Sequence, residues 1–447
     1  MAVYLDRLFS LGRDLDWALV GAGVRANDTL MRDRLAAQDW LTTVVELDPT
    51  GLKARVVGSM VDFVPINGAL TISRMADPNI RIVSLTITEG GYFTNENTGD
   101  FDAQHADIVH DAAHPETPRT VFGMMVAALK MRRGAGNAPF TILSCDNLPE
   151  NGSVTRRTVT GLAHLSDPNF ANWIDAHTAF PNSMVDCITP ATSDRERRMV
   201  ADRFGITDAV PVTCEPFRQW VLEDNFPQGR PKLELVGAEF VSNVAQYELM
   251  KLRILNGGHA AIAYPSALLG HWFVHDAMAD ARISGWLDRL TQTEIVPTLQ
   301  PITGVSYEAY RQKIAERFSN PALGDTIPRL CLDGSKRQPL FLLPTLRQAL
   351  AENRPYHGIS LEVALWCRYC AGMDEAGNAI PPNDENAADL KSRALAARTD
   401  PLVFLSNTLV FGTLGQDQRF TSSFAMALAS LWSNGVEATL AAYAPKI

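Results

Sequence analysis

Cysteine is scarce in this sequence, long apolar runs are missing, and there is no surplus of positive charge. Each shortage removes a class of function. Six cysteines spread over 447 residues do not make a disulfide framework of the kind small exported domains use. Reduced thiols in a cytoplasm are expected instead. Cys367-Arg-Tyr-Cys370 is the sole C-x-x-C; with no second cysteine or histidine pair at zinc spacing, it reads as a buried structural pair. No apolar stretch reaches the roughly 20 residues a membrane helix needs. The start has no basic n-region and meets Asp6 at once, so no signal peptide is expected. A net charge of −10 argues against general binding to nucleic acid or anionic membranes. Repeats and low-complexity segments are also absent. His105, His110 and His114 lie among Asp107 and Asp111, and read as a solvated loop and helix end rather than a metal site.

With 46% hydrophobic and 20% charged residues the chain has the composition of a globular protein, and its length favours two domains. Trp17–Val24, Thr42–Glu46, Ala54–Val61, Arg81–Ile87 and Phe140–Ser144 read as strands, with helices at Ala2–Leu11, Asp28–Gln38 and about Thr120–Arg133. Nearly unbroken apolar content in Arg81–Ile87 suits a parallel sheet. This alternation predicts an α/β, Rossmann-like, doubly wound domain over 1–243. From 244 to 447 the pattern is mostly α-helical, with helices at Trp286–Leu290, Tyr307–Phe318, Pro344–Ala351, Leu361–Met373 and Phe424–Ala442. Gly21-Ala-Gly-Val-Arg-Ala26 fits G-x-G-x-x-A between a strand and a helix, and Glu46 follows at the end of the next strand. Read from the residues alone, Gly21 and Gly23 belong to a phosphate loop and Glu46 is a ribose acid.

The stretch Tyr247–His259 is where chemistry concentrates. Met250, Ile254, Leu255 and Ile262 have helical apolar spacing and carry Lys251, Asn256 and His259 with them. On an α-helix Asn256 lies about 140° and His259 about 80° round from Lys251. One side of one helix then offers an amine, an amide and an imidazole, with Glu248 in the same arc. A lysine desolvated there has its pKa lowered and becomes a general base near neutral pH. Gly257 and Gly258 make sense if a substrate approaches the backbone closely. The bland alternative is a polar helix face with a capping histidine.

Lys251-x4-Asn256-x2-His259 resembles the signature of the polyol-specific long-chain dehydrogenase/reductase family, the mannitol 2-dehydrogenase-like enzymes. Thr88-Glu-Gly-Gly-Tyr92, Ser144-Cys-Asp-Asn-Leu-Pro-Glu-Asn-Gly152, Phe180-Pro-Asn-Ser-Met-Val-Asp186, Cys214-Glu-Pro-Phe217 and Asp333-Gly-Ser335 agree with it in order. The resemblance implies NAD-dependent oxidation of a polyol, mannitol to fructose, with a lysine base and no metal. It makes Lys251 the general base, Asn147 and Asn256 donors to the reacting oxygen, and His259 the holder of a neighbouring hydroxyl. Asp186, Arg329 and Arg337 become substrate-binding residues, and Thr88 and Glu89 line the cofactor pocket. Lys336-Arg337-Gln338-Pro339 departs from the family pattern, which puts Arg337 in doubt as the distal contact. The resemblance also reassigns Trp17–Asp28 as the family's second strand. Asp28 then binds the adenosine ribose and disfavours a 2′-phosphate, hence NAD over NADP. On that assignment the first strand and its Gly-rich loop would precede the helix that begins near Met1. The implied partners are a small polyol or ketose, in a monomer or small homo-oligomer. Two rivals stand beside this reading: a fructuronate or tagaturonate reductase of the same superfamily, and a truncated, catalytically impaired sugar-binding homologue without its phosphate loop.

Overall fold

The computed structural model describes residues 1–95 and 99–443, and the chain divides into two compact units, Met1–Ala245 and Gln246–Ile447.

Among the described residues the first unit holds ten strands: β1 (Leu19–Ala22), β2 (Thr42–Asp48), β3 (Gly51–Val57), β4 (Met60–Val64), β5 (Ile82–Leu85), β6 (Thr141–Ser144), β7 (Ser183–Asp186), β8 (Val212–Cys214), β9 (Gln219–Glu223) and β10 (Glu239–Val241). β1 pairs with β4 and β5 with β6, both in parallel. β2 runs antiparallel to β3 and parallel to β8, and β9 joins β7 to β10. Parallel pairs with helices between their strands are the α/β arrangement. β6 is Thr-Ile-Leu-Ser and buried at every position. It sits in a core of Phe122, Met125, Leu129, Ile142, Val159, Leu162 and Ile174, each apolar side chain contributing about 1.5–3 kcal/mol on burial. The helix leading to β6 spans Val121–Gly134 and starts where Thr120 Oγ1 accepts the Gly123 N–H.

Sequence periodicity predicts one strand over Ala54–Val61, but the chain makes two, in different sheets. Between them Gly58 donates its N–H to Asp6 (3.0 Å), Ser59 Oγ donates to the Ala2 carbonyl (3.0 Å), and the Ser59 carbonyl accepts the Leu19 N–H (2.8 Å). Contacts with the first helix, Ala2–Ser10, thus turn the chain from β3 into β4.

The second unit is helical. Gly257–Leu268 is buried almost throughout and packs on His357–Cys370, which packs in turn on Gln418–Tyr443. The start of His357–Cys370 is secured by buried Glu294, which accepts the Gly358 and Ile359 N–H groups and the Tyr443 hydroxyl. Gly435, at φ 80°, kinks the last helix. Cys367 and Cys370 lie at the end of their helix, both thiols held protonated by burial. His105 caps the helix Ala106–Ala113 and His110 meets Asp111. Among the described residues no helix is long and apolar enough to cross a membrane.

Candidate active site

Helix Ala245–Met250 passes into a π-helical turn, Lys251–Asn256, and then into helix Gly257–Leu268. This corrects the angular placement expected for an α-helix. In i→i+5 bonding, residues five apart stack more closely than they do in i→i+4 bonding, so Lys251 and Asn256 come nearer one side. Lys251 is buried (8% exposed) and Asn256 is partly exposed. Arg253 anchors the turn from within: its Nη1 donates to Thr298 O (3.0 Å), Thr298 Oγ1 (2.6 Å) and Gln348 Oε1 (2.7 Å). The glycine pair does not open the backbone to a ligand, as the sequence suggests. A Cβ on Gly257 would meet Leu342 at 3.5 Å, and one on Gly258 would meet Leu287 at 3.4 Å and Phe318 at 3.5 Å. Both positions face apolar packing.

His259 stacks on Phe318, centroids 4.1 Å apart and planes 18° from parallel. Its Nε2 is enclosed and has no hydrogen-bond partner. Burial, and then the positive Arg329, push its pKa down to about 3. The ring is therefore neutral, able to donate from one nitrogen and accept at the other. Arg329 is half exposed and held bidentate by Asp325, at 2.5 Å twice. Arg337 donates to the carbonyls of Arg329 (3.3 Å) and Leu330 (2.8 Å). It thereby caps the short helix Ile327–Leu330, an occupation the sequence did not suggest.

The first unit carries a cleft of about 700 Å³ between the strand pairs, lined by β1 on one side and β5 on the other. Gly23, Asp28 and Thr88 border it, as do Arg25, Arg74 and Arg119. Asp28 Oδ2 accepts the N–H groups of Val24 (2.9 Å) and Arg25 (2.8 Å). Those are amides that a phosphate-binding turn would offer to an anion, and a carboxylate already occupies them. Gly21 and Gly23 have packing reasons of their own. A Cβ on Gly21 would lie 2.4 Å from the Phe63 ring, and one on Gly23 would lie 2.5 Å from Asp28 Cβ. Glu46 accepts from Arg218 (2.6 Å) and Arg7 (3.5 Å), and is not among the residues lining the cleft.

Thr88 has φ 67° and ψ 159°, a conformation that costs a side-chain-bearing residue about 1–3 kcal/mol. What holds it is Asp146, whose carboxylate accepts the Ile87 N–H (2.9 Å), the Thr88 N–H (3.0 Å) and the Tyr92 hydroxyl (2.6 Å). Glu89 opens the following 3₁₀ turn, Glu89–Tyr92, and is exposed. Asn147 is exposed just after β6, and Asp186 is buried at the end of β7. Between them works a residue that no motif singles out. Buried Asn151 donates to the carbonyls of Ser144, Asp146 and Ser183 and accepts the Ser183 N–H. It ties the loop carrying Asn147 to the strand carrying Asp186. The clue available in the sequence was a polar run, Asp146-Asn147 and Asn151, directly after a buried strand.

The mannitol dehydrogenase Rossmann domain matches residues 2–235, and the mannitol dehydrogenase C-terminal domain matches residues 243–432. A mannitol 2-dehydrogenase of Cereibacter sphaeroides is 54% identical over 441 residues, 98% of this chain and 92% of that one. One of Pyricularia oryzae is 42% identical over 98% of this chain and 89% of its own. Among solved structures, Pseudomonas fluorescens mannitol 2-dehydrogenase in a ternary complex with NAD and D-mannitol is similar at a TM-score of 0.84 and 42% identity, covering 99% of this chain and 91% of that one. A substrate-free D-sorbitol dehydrogenase reaches a TM-score of 0.91 at 35% identity, covering 98% of this chain and 91% of its own.

Proposed function

Because the chain belongs to the mannitol dehydrogenase family, through both its Rossmann and its C-terminal domains, we propose that it is an NAD-dependent mannitol 2-dehydrogenase interconverting D-mannitol and D-fructose. The observation that carries this reading is buried Lys251 on one π-helical turn with Asn256, three residues before the enclosed imidazole of His259. Relatives named mannitol 2-dehydrogenase support the substrate.

NAD, when bound, supplies a hydride acceptor. The cleft of the first unit suits it chemically: Asp28 offers acceptors for ribose hydroxyls, Arg25 and Arg119 offer positive charge for phosphates, and Thr88 borders the same space. Lys251 takes the proton from the hydroxyl of the reacting carbon, a general-base role worth about 10²–10⁴ in rate. Asn256 donates to that oxygen as its charge develops. His259 holds a neighbouring hydroxyl through its free ring nitrogen. Asn147, Asp186, Arg329, Arg337 and Glu89 keep the roles that resemblance gives them; Arg329 and Arg337 do so with only part of each guanidinium uncommitted. We place the enzyme in a reducing cytoplasm, as a monomer or small homo-oligomer that acts without nucleic acid.

The test is a panel of mannitol, sorbitol, arabitol, fructose, fructuronate and tagaturonate with NAD(H) and NADP(H). Highest kcat/KM for mannitol and fructose with NAD(H) supports the reading. Preference for a uronate, or no turnover of any substrate, overturns it.

A further inference from the structure

Two of the six cysteines stand apart from the rest. Cys187 follows β7 and Cys214 ends β8, and the chain segments that carry them run side by side. The Glu215 N–H donates to the Ile188 carbonyl (3.0 Å), and the Ile188 N–H donates to Glu215 Oε1 (2.6 Å). Cys187 Sγ lies 3.9 Å from the Glu215 carbonyl. Both thiols enter one apolar cluster with Val44, Val57 and Val212. Arg218 Nη2 stands 4.0 Å from Cys214 Sγ.

We propose that Cys187 and Cys214 are a modification site: a dithiol that a hydroperoxide converts to a reversible intramolecular disulfide. The assignment of roles follows from surroundings. The neighbouring Cys187 thiol, and then the Arg218 guanidinium, lower the pKa of Cys214 against the opposing effect of burial, while Cys187 is raised. With Arg218 Nη2 4.0 Å from its sulfur, Cys214 is assigned the attacking role. It displaces hydroxide from the peroxide O–O bond, giving a sulfenic acid, and the hydroxide leaves as water with one proton. The Cys187 thiol then attacks the sulfenic sulfur. An S–S bond forms, the S–O bond breaks, and a second water leaves. Two thiols lose two electrons in all, and one peroxide gains them. Cys367 and Cys370 are the internal contrast, because burial holds both protonated, even with Arg368 pulling Cys367 the other way.

The experiment treats the full chain with a few equivalents of hydrogen peroxide, alkylates the remaining thiols, and maps linked peptides by mass. The expected product joins the Cys187 and Cys214 peptides with loss of two hydrogens, and dithiothreitol reverses it. In Cys187→Ser the link is lost and Cys214 is trapped by dimedone as sulfenic acid; in Cys214→Ser neither product forms. Linkage through any other cysteine, or a Cys187 that stays fully alkylated while Cys214 reacts, overturns the proposal. Neither result bears on the dehydrogenase reading, which the substrate panel tests alone.

Discussion

Lys251 and His259 have opposite relations to protons. On the proposed mechanism Lys251 exchanges one during turnover, so Lys251→Ala should lower kcat by about 10²–10⁴ with little loss of NADH binding in a fluorescence titration. Near-normal turnover would remove it from the chemistry. His259 stays neutral across the physiological range. Its pKa falls from 6.5 in the unfolded chain to about 3 in the fold, so between those values the unfolded state binds more protons. Stability then rises with pH: the contribution is complete above about 6.5 and fades as pH falls toward 3, by at most about 1.4 kcal/mol per pH unit. Melting curves from pH 7.5 to 4.5 should show an acid limb that His259→Gln flattens. An unchanged limb would assign acid sensitivity to other groups.

At the scale of elements, the π-helical turn is the part of the site that sequence could not reveal. Apolar residues at Met250, Ile254 and Leu255 satisfy an α-helical template, and a shift from i→i+4 to i→i+5 bonding leaves no residue signature. Helix Tyr307–Phe318 is the opposite case. Its start is legible because Ser306 caps it by accepting the Ala309 N–H. The β3–β4 break was hidden for another reason: it depends on Asp6 and Ala2, some fifty residues away. Family motifs brought out Asp28, but its grip on the Val24 and Arg25 amides required coordinates. The turn's own anchor gives the next test. Arg253→Ala takes the donor from Thr298 Oγ1 and from part-buried Gln348 Oε1, while Thr298 O keeps the Gln348 amide (3.2 Å), at about 1–3 kcal/mol for each group left unpaired. It should lower the melting temperature by about 2–4 °C per kcal/mol in a unit of this size, and lower kcat as well. Arg253→Lys should recover only part of both, since one ammonium lacks the planar fork. Full recovery by lysine would mean that charge, not geometry, holds the turn.

For the whole molecule, cofactor choice reads out as stability. A ligand that binds only the folded chain stabilises it by RT ln(1 + [L]/Kd), about 2.7 kcal/mol at a hundred times Kd. Asp28 sits on the cleft with its carboxylate drawn toward the Val24 and Arg25 amides, and the proposed function has it accept from ribose hydroxyls and repel a 2′-phosphate. NADH should therefore raise the melting temperature more than NADPH at equal concentration. Asp28→Ala should shrink the NADH shift and enlarge the NADPH shift, because it removes an acceptor from one cofactor and a like charge from the other. Glu46→Gln supplies the contrast: Glu46 is bound to Arg218 and Arg7 away from the cleft, so its loss should lower the baseline melting temperature and leave the difference between the cofactors unchanged. If Glu46→Gln altered cofactor preference and Asp28→Ala did not, the ribose would lie at the end of β2, and the turn after β1 would have to be reread as the phosphate loop despite the carboxylate that fills it.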